Sequence, residues 1–113
     1  MTLRTERLSE LISQELSWLF QRELEFPPGT MATITKVDVD KALTKARVGL
    51  SIWPEKFRGS VKEMLDKKKG RLQKHLSKKL IIRKFPKLEF YIDDENLKRL
   101  EIEEMINHLD QPS

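Results

Sequence analysis

Residues 67–88 hold ten basic side chains, Lys67, Lys68, Lys69, Arg71, Lys74, Lys78, Lys79, Arg83, Lys84 and Lys87, and not one Asp or Glu. No core can absorb so many unpaired cations, because burying a charge without a partner is prohibitively unfavourable. Much of this stretch therefore has to face water or an anion, whatever the fold. A single glycine, Gly70, interrupts what otherwise scans as one long helix. The remainder of the chain has to supply the core that holds this surface in place.

The formal net charge of +4 hides a segregation along the chain. Residues 1–66 carry ten basic and ten acidic side chains, whereas residues 89–113 carry eight acids against Lys98 and Arg99. A dense basic middle of this kind points to phosphate as the partner. The competing reading is that the acidic end folds over the basic stretch and neutralises it. The absence of cysteine excludes disulfides, thiolate metal sites and cysteine nucleophiles. At 113 residues the chain is one domain by length, able to bury roughly two thirds of its unfolded surface. No apolar run approaches a signal-peptide core or a membrane span, so the expected location is cytoplasmic, with no membrane partner.

Apolar residues at Leu8, Leu11, Ile12, Leu16, Leu19, Phe20 and Leu24 mark one face of a helix of about twenty residues. Trp18 falls beside that face and reads as a boundary core residue in preference to a base-stacking one. Phe26-Pro27 and Pro28-Gly29 end the helix near Leu24 to Phe26. Residues 32–39 read as a strand, but Ile34 and Val37 lie three apart, so a bulge near Thr35 or Lys36 is needed to keep both facing inward. Ala46, Val48, Leu50 and Ile52 alternate with Arg47, Gly49, Ser51 and Trp53, the pattern of a half-buried strand ended by Pro54. The short connection at residues 40–45 predicts an antiparallel hairpin.

Val61, Met64, Leu65, Leu72, Leu76 and Leu80 describe a second helical face, but an unbroken helix would bring Lys68 and Lys69 to its apolar side. Gly70 in a helix interior adds a cost of about 1 kcal/mol relative to Ala. Two local rules fail at adjacent positions, which predicts a kink at residues 68–70 and a second helix starting near Arg71. The alternative is a continuous helix with snorkelling lysines, since Leu65 and Leu72 are seven apart. Arg71, Lys74 and Lys78 form a basic stripe in either case. If Arg71 begins a helix, its first amides, beside Lys68 and Lys69, offer a phosphate site. After Pro86, Leu88, Phe90 and Ile92 alternate as a third strand. Asp94 suits a helix cap, and Leu97, Leu100, Ile102, Met105, Ile106 and Leu109 suggest a last helix.

No enzyme constellation emerges. Gly29, Gly49, Gly59 and Gly70 write neither a phosphate-binding loop nor a dinucleotide fingerprint. His75 and His108 read as surface histidines, and a helix cap accounts for Asp93, Asp94 and Glu95 better than a cation does. No metal and no cofactor are expected. The scarcity of aromatics beside the lysines favours recognition of backbone and shape over base stacking.

Arg7 with its amphipathic helix, residues 33–40 followed by 43–51, and above all residues 70–93 resemble ribosome-binding factor A. In that last segment Gly70, Arg83, Pro86, Leu88, Phe90 and Asp93 match the family's run. The resemblance implies an α+β fold, a single type II KH-like domain with a three-stranded sheet and helices packed on one face. Its order is α-β-β-α-kink-α-β with an extra C-terminal helix, the RNA-binding domain covering residues 1–109 and a short tail residues 110–113. The family replaces the GXXG clamp of KH domains with a kink written Ala, any residue, Gly. Here it falls on Lys68, Lys69 and Gly70, so Lys68 departs from the usual alanine, as Lys87 departs from a frequent Glu. Contacts made by the basic C-terminal tail of some members are not carried over.

The resemblance further implies a non-enzymatic, monomeric factor that binds the small ribosomal subunit through its ribosomal RNA and assists late maturation, including rRNA processing. A ribosome-maturation GTPase is implied as a partner in its release. The residues expected to face RNA are Arg47, Lys67, Lys68, Lys69, Gly70, Arg71, Lys74, Lys78, Lys79 and Lys84. The alternatives are a protein-interaction module whose basic face docks an acidic partner, and a generic KH-like nucleic-acid binder.

Overall fold

The computed structural model describes residues 3–82 and 84–93. The expected last helix, the Asp94 cap, Arg83 and the tail at residues 110–113 lie outside them. In chain order the elements are α1 (Leu3–Arg22), β1 (Met31–Val39), β2 (Lys45–Trp53), a 3-10 turn (Glu55–Phe57), α2 (Arg58–Lys79) and β3 (Lys87–Ile92).

The strands form one sheet in the order β1-β2-β3, antiparallel between β1 and β2 and parallel between β2 and β3. A parallel pair cannot be joined by a tight turn, and α2 provides the crossover. The bulge lies where the inward-facing pattern requires it. Ile34 pairs with Leu50 and Lys36 with Gly49, leaving Thr35 as the extra residue. This one insertion lets Ile34 and Val37 both turn toward the helices.

Ala46, Val48, Leu50 and Ile52 are fully buried on the central strand. Ile12, Leu16, Leu19 and Phe20 of α1, and Val61, Leu65, Leu72 and Leu76 of α2, complete the core with Leu88 and Phe90 of β3. Both helices cover this one face of the sheet. The buried stripe of α1 is rotated from the expected one. Thr5 and Ser9 lie inside it, with the Ser9 hydroxyl donating to the Thr5 carbonyl at 2.8 Å, while Leu11 is exposed.

The expected kink does not form: α2 runs unbroken through residues 68–70, and no second helix starts at Arg71. Leu65 and Leu72 are both buried, and two turns of about 3.6 residues keep them on one line. At about 100° per residue, Lys68 and Lys69 fall about 50° to either side of that line rather than on it. Both are half-buried, as long side chains are when part of the stem is covered and the ammonium reaches water. Gly70 points to solvent, with nothing within 4 Å of the position its Cβ would take. The helix ends in a Schellman arrangement: the Ile82 amide donates to the Ser77 carbonyl at 3.1 Å, and Ile81 holds the left-handed conformation at φ 53°.

Candidate nucleic-acid interface

At the same angular step, Lys67, Arg71, Lys74 and Lys78 fall within a sector of about 60° on the outer side of α2. All four are exposed. Lys67 is paired with Glu63 at 3.3 Å, an exposed pair one helical turn apart. Such pairs are worth about 0.3–0.5 kcal/mol and exchange readily for another anion. Among the described residues, no carboxylate lies within ion-pair distance of Arg71, Lys74 or Lys78, nor of Lys68, Lys69, Lys79 or Lys84. The unbroken helix leaves no free amides at Arg71, so the expected phosphate site made of backbone N–H groups is absent. The cationic side chains alone remain for that task.

The other expected residues distribute around this stripe. Lys68 turns toward α1 and lines a groove of about 180 Å³ with Arg71, His75 and Glu23 over a floor of Leu19, Leu24 and Leu72. Lys69 turns the other way, into a shallow depression shared with Arg47, Lys62, Asp66, Glu89 and Tyr91. Arg47 already has partners there, its guanidinium 4.8 Å from the Tyr91 ring centroid and its Nε 3.9 Å from Glu89. Lys79 is exposed at the last residue of α2, where the helix dipole favours a cation. Lys84 lies apart from the stripe and lines a separate hollow with Arg4 and Arg7. Gly70 contributes no group of its own.

Several contacts around this surface carry no local sequence signal. Arg4 and Arg7 join Lys84 because α1 starts beside the hairpin loop and the end of α2, a proximity no local pattern announces. Trp18 is 43% exposed rather than a boundary core residue, and its ring stacks on His75 with centroids 6.3 Å apart and planes at 19°. His75 Nε2 is 3.2 Å from the Glu15 carboxylate. On the outer face of the sheet, the Thr35 hydroxyl donates to Asp93 at 2.6 Å, so the bulge residue ties β1 to the end of β3. Among the described residues no cluster of His, Cys, Asp and Glu could hold a metal ion, and no helix is long and apolar enough to cross a membrane.

The family model for ribosome-binding factor A matches residues 4–106. The ribosome-binding factor A of Chloroherpeton thalassium is 38% identical, the match covering 100% of this chain and 92% of that protein. That of Prosthecochloris aestuarii is also 38% identical, over 94% of this chain and 88% of the relative. The crystal structure of ribosome-binding factor A from Thermus thermophilus superimposes with a TM-score of 0.69 at 23% identity, covering 78% of this chain and 93% of that one. A homology model of the Thermus thermophilus factor, fitted into the cryo-EM map of a 30S complex, gives a TM-score of 0.62 at 21% identity, over 81% and 93% of the two chains. These two likenesses show the shared KH-like α+β fold. The family model and the relatives spanning nearly the whole chain show more: this chain belongs to the ribosome-binding factor A family.

Proposed function

We propose that the chain is a non-enzymatic assembly factor that binds the small ribosomal subunit through its ribosomal RNA and assists late maturation, including rRNA processing. The observation that carries this reading is the outer side of α2, where Arg71, Lys74 and Lys78 stand exposed without an acidic partner among the described residues. Side chains spaced along one helix face neutralise successive phosphates and read the path of a backbone, not the identity of its bases. The continuous helix shifts the mechanism away from a clamp of backbone amides and onto these side chains. The fitting of a Thermus thermophilus relative into a 30S complex supports the same partner.

Sedimentation of a cell extract tests this reading. The protein should travel with small subunits and not with whole ribosomes, and rising salt should release it. Free protein at every salt concentration would overturn it.

A further inference from the structure

We infer that Trp18 and the groove beside it form a binding site for one unpaired base of an RNA strand, next to the cationic side of α2. The inference rests on the reading of α2 as an RNA surface and names what a second part of that surface recognises.

Trp18 does not serve the core. Leu16 and Leu19 on either side of it are buried, whereas its own ring is 43% exposed. Single exposed hydrophobics need no explanation, but this one stands among groups that suit a nucleotide. One neighbour is His75, near-parallel to the indole, and another is the Arg22 guanidinium, 5.8 Å from the ring centroid. The groove at the same α1–α2 seam has an apolar floor, and Lys68 and Arg71 on its wall are without acidic partners among the described residues. Among the described residues Glu23 is the one acid lining it, and Glu15 lies beside it against His75.

Size and chemistry agree. A cavity of about 150 Å³ holds a benzene molecule, so 180 Å³ admits a single nucleobase ring. An aromatic face for the base with cations for the flanking phosphates is the arrangement by which proteins hold single-stranded RNA. A duplex keeps its base faces stacked and has nothing to offer Trp18. An acidic peptide would satisfy Lys68 and Arg71 but not the aromatic ledge. Arg71 belongs both to the groove and to the outer stripe, and His75 belongs both to the groove and to the Trp18 stack, so the two residues connect the cationic side of α2 to Trp18.

The test uses the full chain with Trp53→Phe, which leaves Trp18 as the only tryptophan. A short single-stranded oligoribonucleotide should quench Trp18 emission and bind more tightly than the duplex of the same sequence. Trp18→Leu should weaken single-strand binding by about 5- to 150-fold, leaving duplex binding and the salt dependence unchanged. If the oligonucleotide binds with the usual salt dependence while Trp18 emission stays constant and Trp18→Leu binds equally well, the base site is wrong and the α2 reading stands. Quenching by polyglutamate but not by the oligonucleotide would also overturn the site. Failure of the wild-type protein to bind RNA or small subunits in a salt-dependent way would instead remove the α2 reading itself.

Discussion

Lys68 and Lys69 are adjacent in sequence, yet they line different hollows on opposite flanks of α2, Lys68 against α1 and Lys69 beside Arg47 and Tyr91. Successive residues of a helix diverge by about 100°, and this helix continues unbroken through Gly70. A glycine there adds flexibility without a structural need, since its backbone is helical and the space around it is open. Gly70→Ala should therefore stabilise the protein by about 0.5–1 kcal/mol, read from chemical denaturation. A loss of stability would mean that the helix breaks at this point after all.

Ile81 presents the reverse case. It is β-branched, 91% exposed and held at φ 53°, a conformation that costs most residues about 1–2 kcal/mol and repays nothing in packing here. Ile81→Gly should raise stability by about 1 kcal/mol while the Schellman bond from the Ile82 amide to the Ser77 carbonyl persists. A destabilised variant would show that Ile81 has a packing role its exposure conceals.

Gly49 sits opposite Tyr91 on the outer face of the sheet. A Cβ at Gly49 would lie 2.6 Å from the Thr35 hydroxyl and 2.9 Å from the Tyr91 hydroxyl. Thr35 is bonded to Asp93, and the Arg47 guanidinium lies over the Tyr91 ring, so neither neighbour yields freely. Gly49→Ala should cost about 1–3 kcal/mol in thermal or chemical unfolding. An unchanged midpoint would mean that the outer face is looser than this close approach implies.

Asp40 organises the β1–β2 hairpin. The Thr44 hydroxyl donates to its carboxylate, which also accepts from the Lys45 and Thr44 amides and faces the Lys45 charge. Chiefly through the Thr44 hydroxyl, and against a smaller opposing effect of desolvation, these interactions hold its pKa below the usual carboxylate value. A carboxyl depressed on folding stabilises the native state above its unfolded pKa of about 4, and that contribution fades as pH falls through the lower folded value. Asp40→Asn should be less stable than wild type at neutral pH, and the gap should close on acidification. A gap independent of pH would contradict the assignment.

The strand alternation from Ala46 to Ile52, the hairpin and the bulge at Thr35 were all legible, because each follows from local periodicity and the need to turn apolar side chains one way. The exposed stripe of Arg71, Lys74 and Lys78 was legible for the same reason. The absence of a kink was not legible, because an offset of about 50° lets Lys68 and Lys69 flank the apolar line of a continuous helix while their ammonium groups reach water. The hollow joining Arg4, Arg7 and Lys84, the Thr35–Asp93 bond and the Trp18–His75 stack depend on elements distant in sequence, and no periodicity reports them.

The central claim is that the outer side of α2 neutralises phosphates of the small-subunit RNA. Its most direct test compares wild type with Lys74→Glu/Lys78→Glu in binding to small ribosomal subunits across a range of salt. Both side chains are exposed, so the fold should survive the change. The variant should bind more weakly, and the slope of log affinity against log salt should shrink by about 0.7–0.9 for each phosphate that is no longer neutralised. An affinity and a slope both equal to those of the wild-type protein would contradict the account.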